Sequence, residues 1–262
     1  MIEPHGRGPE PELSLVIPAF DAAGVIGASL TEVREAVAAV GEHTEVVVVD
    51  DGSTDATTTI VESMTAEWPS FSTLRLLRHK ANRGKGAAVR TGMIAARGTH
   101  RVFTDADLAY GFEPVARLRR ALDSGADVAA GVRERHRGGL RRLAGWAFGR
   151  CVAAYGLAVG PDPQCGIKAF TAGAAGMLFG VARVDGFAFD VEVLHLASRW
   201  GLDVARVPVV ERGGVRHSSV DFLHDTPLML RSLREIRATT EAGAYEDNGP
   251  KPRYRKGLET DA

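Results

Sequence analysis

The 262-residue chain is 45% hydrophobic and 25% charged, an ordinary balance for a globular protein with a sizeable core. Its formal net charge of −1 excludes a global attraction to nucleic acid or to anionic membrane, so a polyanionic partner has to be met by a local cluster. Two cysteines, Cys151 and Cys165, without CxxC or Cys/His spacing, suggest neither a disulfide framework nor a zinc site.

In chain order, the opening MIEPHGRGPEPELS lacks the apolar stretch of a secretory signal, and no run of roughly 18 apolar residues is present that would span a bilayer. Residues 1–12 therefore read as a flexible N-terminus and the protein as cytoplasmic, with any lipid contact made from the surface. LSLVIP (13–18) predicts a buried strand, 24–41 a helix and EVVVVDD (45–51) a second strand, followed by a helix over 55–66 capped by Ser53, Thr54 or Asp55. TLRLLR (73–78) is a third strand, 84–98 a helix ended by Gly98, and HRVFTD (100–105) a fourth strand. A helix at 112–123 and a strand at 126–131 complete this half. The second half is less regular: a helix over 140–157, the stretch DPQCGIKAF (162–170), a helix over 187–200, a strand near 203–211, and a last helix with Pro227 at its first position. The polar, Pro/Gly-containing tail 244–262 reads as disordered. Strands alternating with helices imply βαβ units around a mainly parallel sheet, an α/β fold.

Ligands of an open parallel sheet gather at the carboxyl ends of its strands. That rule selects Pro18, Ala19 and Phe20, then Asp50 and Asp51, then Asn82 to Gly86, then Asp105 and Asp107. Neither G-x-G-x-x-G after the first strand nor G-x-x-x-x-G-K-[ST] occurs, so dinucleotide and P-loop readings have no local support. In FTDADLAY (103–110), Asp105 and Asp107 flank Ala106, and like charges at such range call for a divalent cation with hard oxygen ligands. Arg83 and Lys85 in the same crevice suit a phosphorylated ligand. Asp190 and Glu192 stand two apart and project in different directions, so at most one faces a substrate. A carboxylate at a helix start is also what the macrodipole favours. Cys165 reads as a small buried hydrophobe.

IPAFDAAGVI, VVVDDGSTDAT, NRGKGAAVRTGM, FTDADL, DPQCGIKAF and FAFDVEVLHLA, in this order over about 13–240, resemble the inverting family 2 glycosyltransferases. The likeness is greatest to the branch of dolichyl-phosphate glucosyltransferase and dolichol-phosphate mannose synthase. It implies a single GT-A domain over 13–243, Rossmann-like, with a nucleotide-sugar half (13–131) and an acceptor half (132–243). It further implies a nucleoside-diphosphate sugar donor, UDP-glucose ranked first, and Mg²⁺ or Mn²⁺. By position, Pro18, Ala19, Asp50 and Asp51 would line the nucleoside pocket. Asp105, Ala106 and Asp107 would bracket metal and diphosphate, with Lys85 beside them, Gln164 near the sugar, and Arg216 and His217 returning over the phosphates, His217 as a further metal ligand. Asp190 is the first candidate for general base and Asp162 the second. Arg133, Arg137 and Arg141 would receive a polyprenyl phosphate, arginine forks suiting that group. A soluble hydroxyl acceptor, such as a secondary metabolite or a phosphorylated glycerate, is the alternative, and a sugar-phosphate nucleotidyltransferase a more distant one. Ile167 departs from the usual aromatic of the D-x-Q-C-G-F-K motif.

Overall fold

The computed structural model describes residues 10–134, 148–157, 159–160, 162–212 and 222–245. Along the chain run β1 (Leu13–Ala19), α1 (Ala23–Val40), β2 (Thr44–Asp50), α2 (Thr57–Thr65), β3 (Thr73–Arg78), α3 (Lys85–Ala95), β4 (His100–Thr104), α4 (Glu113–Asp123) and β5 (Val128–Arg133). There follow β6 (Ile167–Thr171), α5 (Ala172–Val181), α6 (Phe189–Arg199), β7 (Val204–Val209) and α7 (Phe222–Glu241). Residues 148–154 are also helical.

The strands form one sheet in the order β3-β2-β1-β4-β6-β5-β7. All pairs are parallel except those of β6, which runs antiparallel to both β4 and β5. Buried on both faces, the central strands need apolar side chains at odd and even positions alike, which is why they read as continuous runs. Val16, Val47, Val49, Phe103 and Phe170 face α3, α5, α6 and α7. Leu15, Ile17, Val46, Val48, Val102 and Ile167 face α1, α2 and α4. Each such side chain, taken from water, contributes about 1.5–3 kcal/mol. Phe103 stacks on Phe170 at 6.1 Å and meets Phe189 at 5.6 Å, seating the first turn of α6 on the middle of the sheet.

Three local features differ from expectation. α2 starts at Thr57 without a side-chain bond from its cap residue Ala56; Asp55 instead accepts from the Thr57 amide at 2.9 Å, one position outside the cap. α5, not foreseen, is an Ala/Gly-rich helix whose N-cap Thr171 accepts from the Ala174 amide. α7 starts at Phe222, so Pro227 lies inside it rather than at its first position. Proline there removes one amide from the ladder, and near a helix start that single loss does not end the helix.

Because the chain passes from β1 outward to β2 and β3 and then returns to β4 on the other side of β1, the order reverses between β1 and β4. A crevice opens at the carboxyl ends of these two strands. β6, antiparallel, brings to the same edge the residues that precede it, 162–166.

Candidate active site

Two acidic pairs reach this edge. Asp50 and Asp51 close β2 and are both buried. Asp50 accepts from the Ser53 amide (3.1 Å) and the Thr58 hydroxyl (3.2 Å), with Arg78 Nε at 3.4 Å. Asp51 accepts from the Arg83 amide (3.0 Å) and the Gly84 amide (2.8 Å), and its Oδ1 lies 2.6 Å from His79 Nδ1. Pro18 and Ala19 end the neighbouring β1, and the ring of Phe20 beside them is 47% exposed. An open depression of about 410 Å³, lined by Arg78, His79, Lys80, Ala81 and Arg83, adjoins this corner.

The Gly84-Lys85-Gly86 turn has a steric purpose. Gly84 takes φ +103°, and a Cβ on it would lie 2.5 Å from the Asp185 carbonyl oxygen; one on Gly86 would meet the Val184 carbonyl at 2.4 Å and Phe189 Cβ at 2.7 Å. Only glycine lets the first turn of α3 press so closely on the 184–189 segment. The result sets Lys85 between the end of β4 and the start of α6.

Lys85 Nζ lies 2.5 Å from Asp105 Oδ1. Burial alone would lower the lysine pKa, but Asp105, and after it Asp190, outweigh this and hold the ammonium above its ordinary value. The side chain of Asp105 is 31% exposed and Asp107 is exposed. Asp107 Oδ1 accepts from the Ala109 amide at 3.1 Å, and the Asp105 carbonyl accepts from the Leu108 amide at 3.0 Å, a tight turn that leaves Leu108 at φ +42°. On the far side of Asp105 sits Gly166, whose missing Cβ would meet Asp105 Oδ2 at 2.0 Å. The glycine hollow thus cradles one carboxylate while the other faces out.

Asp190 is 4% exposed, and its Oδ1 accepts from Lys168 Nζ at 2.6 Å. Lys168, 0% exposed, also donates to the Cys165 carbonyl at 2.7 Å and stands 5.4 Å from the centre of the Phe103 ring. Burial pushes the Asp190 pKa up, and Lys168 and Lys85 pull it partly back. Glu192 points elsewhere, accepting from the Arg183 and Val184 amides at 2.9 Å and from the Tyr245 hydroxyl at 2.6 Å. The two carboxylates of the FDVE segment therefore divide as their spacing requires, Asp190 toward the crevice and Glu192 into the support of α6.

Asp162 is held by Arg133 through a fork, Nε to Oδ2 at 2.9 Å and Nη2 to Oδ1 at 2.6 Å, with the Arg133 amide at 3.0 Å as well. Burial would raise its pKa, but the Arg133 hydrogen bonds outweigh this and keep the carboxyl below its usual range. Gln164 is half-buried in the following turn, and Cys165 is buried, its thiol pushed up by burial. The structure thus brings Lys85, Asp105 and Asp190 together, with Asp107 beside them. Lys168, within the quoted DPQCGIKAF block but given no role from sequence, joins them. Arg137, Arg141, Arg216 and His217 lie outside the described residues. Within the helical stretch expected over 140–157, Val152 is buried and Phe148 and Tyr155 pack partly against the core.

Among the described residues no group of three or more His, Cys, Asp and Glu is arranged to hold a metal. Asp105 and Asp107 still fit a divalent ion of the kind bound by one or two carboxylates plus substrate phosphates, because both are oxygen ligands at one edge, Asp107 exposed and Asp105 partly so.

A profile described as Glycosyl transferase family 2 matches residues 14–145. The dolichyl-phosphate beta-glucosyltransferase of Saccharomyces cerevisiae is 32% identical over 266 residues, covering 93% of this chain and 79% of the yeast protein. That of Drosophila melanogaster is 34% identical over 219 residues, covering 77% of this chain and 67% of its own. Among solved structures, glucosyl-3-phosphoglycerate synthase from Mycobacterium tuberculosis with phosphoglyceric acid superposes with a TM-score of 0.64 at 21% identity, covering 92% of this chain and 81% of that one. Its complex with Mn²⁺, UDP-glucose and phosphoglyceric acid gives 0.62 at 19% identity, with the same coverage.

Proposed function

The chain belongs to glycosyl transferase family 2 and is a glycosyltransferase of GT-A fold, and we propose that it moves glucose from UDP-glucose to a polyprenyl phosphate with inversion. The observation that carries the reading is the alternation of charge at the β1/β4 crevice, Asp105, Lys85, Asp190, Lys168, in one contiguous group. The dolichyl-phosphate acceptor in the name of the yeast relative, matched over nearly the whole chain, supports the lipid.

In this reading the nucleoside sits by Pro18, Ala19, Asp50 and Asp51, and Lys85 compensates the diphosphate. Asp105 and Asp107 would hold Mg²⁺ or Mn²⁺, and such an ion neutralises charge on the leaving diphosphate. The acceptor oxygen attacks the anomeric carbon from the face opposite UDP, forming the new glycosidic bond as the bond to the diphosphate breaks. A phosphate acceptor arrives ionised and needs no base. Arg133 enters as a lipid-phosphate ligand only if it leaves Asp162, and Arg137 and Arg141 complete that proposal.

One observation favours a second reading, a soluble hydroxyl acceptor. Asp190 is built into the crevice as a carboxylate with its own counter-ion, and a hydroxyl has a proton to give it. Asp162, saturated by Arg133, is the weaker candidate for that proton.

The test supplies UDP-glucose and Mn²⁺ with either a polyprenyl phosphate or 3-phosphoglycerate. Transfer to the lipid alone is expected; transfer to the glycerate alone sinks the lipid reading and promotes the second. With a hydroxyl acceptor, Asp190→Asn should cut turnover by roughly 10²–10⁴ with donor affinity nearly kept. Wild-type turnover in that variant removes Asp190 as base.

A further inference from the structure

A lysine with no exposure at all is rare, and it is stable in a core only when its charge is paired and its hydrogens are bonded. Lys168 meets that condition with two oxygens, those of Cys165 and Asp190, at 2.7 and 2.6 Å. It sits on an interior strand of the sheet, in register with Phe103 on β4 and Ala130 on β5.

The Cys165 carbonyl belongs to the turn whose next residue, Gly166, presses on Asp105 Oδ2. One ammonium therefore ties the turn that cradles Asp105 to the carboxylate of Asp190. The charges that face Asp190 are Lys168 from β6, Lys85 from α3 and Asp105 from the end of β4. Lys85 is paired with Asp105 at 2.5 Å, which leaves Lys168 as the cation that belongs to Asp190.

We infer that Lys168 is a positioning residue for sugar transfer, fixing Asp190 relative to the Asp105 cradle so that the acceptor side and the donor side of the crevice keep their spacing. The inference rests on the reading of Asp190 as the carboxylate on the acceptor side. Lys168 itself has no exposed surface with which to meet a donor or an acceptor.

The experiment compares the full chain with K168M, K168R, D190N and K168M/D190N. It measures kcat and the UDP-glucose KM on each, with folding followed by circular dichroism and melting. K168M should lose at least tenfold in kcat with the donor KM changed less than twofold, and K168R should recover most of the loss. The double variant should be no slower than D190N alone, because Lys168 acts through Asp190. It also leaves neither buried charge unpaired, so it stays folded and carries the test if K168M does not fold. A K168M with wild-type kcat, or a loss that K168M adds in full on top of D190N, overturns the inference. Wild-type turnover in D190N instead overturns the reading of Asp190, and the inference with it. An impaired D190N beside a fully active K168M overturns the inference alone.

Discussion

The loop after β2 and the loop after β4 carry the same sequence sign, a close pair of aspartates at the carboxyl end of a central strand, yet the two are physically unlike. Asp50 and Asp51 are buried, and both oxygens of Asp51 are taken up by two backbone amides and His79. Asp105 and Asp107 are partly or fully exposed, with one lysine between them and the rest of the crevice. A carboxylate whose acceptor sites are filled by the protein shapes a loop; one that is not is available to a ligand. The likeness in sequence therefore hides a physical difference, the first pair held by the protein's own donors and the second left more open to solvent.

The sharpest way to break that comparison is Asp51→Asn. Its new amide group would face a backbone N–H donor in a buried site, and stability should fall by about 1–3 kcal/mol in a denaturant titration. Unchanged stability together with lost UDP affinity would move Asp51 into the ligand-facing class. Next comes Asp107→Asn, expected to leave stability within about 0.5 kcal/mol. What it should abolish is the Mn²⁺-dependent part of the stabilisation by UDP, which at 100 times the dissociation constant is about 2.7 kcal/mol. Metal-dependent stabilisation that survives would remove Asp107 from the metal site.

The smallest effect belongs to the third saturated carboxylate, Asp162, whose arginine is partly exposed. Arg133→Ala should cost about 1 kcal/mol or less. Because Arg133 holds the folded Asp162 pKa below its unfolded value, that stabilisation is full above about pH 4 and fades as the pH falls toward the folded value. Melting curves of wild type and variant should thus converge on acidification. A gap that widens instead would contradict the pairing. An acceptor KM unchanged in the same variant would take Arg133 out of the lipid reading.

Much of the first half was legible because parallel strands covered on both faces leave continuous apolar runs, as in LSLVIP and EVVVVD, and because the helices between them carry clear periodicity. The second half was less so for identifiable reasons. α5 is nearly uniform in hydrophobicity and shows no polar face, so only its Thr171 cap announced it. The direction of β6 depends on which strands it finds, not on its own pattern. Lys168 was passed over because lysine belongs to the surface in almost every context, and nothing within DPQCGIKAF says that its ammonium meets an aspartate 22 residues further on. The Arg133–Asp162 fork spans 29 residues and is equally invisible to local spacing.

The place of β6 also has a consequence for how the chain assembles. β5 has two neighbours in the sheet, β6 and β7, and both lie later in the sequence. Residues up to 133 supply β1 to β4, neighbours in the order β3-β2-β1-β4, but neither neighbour of β5 and nothing to cover the other edge of β4. Such an edge is a template for the wrong chain until the next 38 or so residues arrive, and closing it needs contacts between segments far apart in sequence, a slow step in folding. A fragment cut at Arg133 should therefore associate through β4, and the stretch from Ile167 to Thr171 is the piece whose arrival ends that exposure.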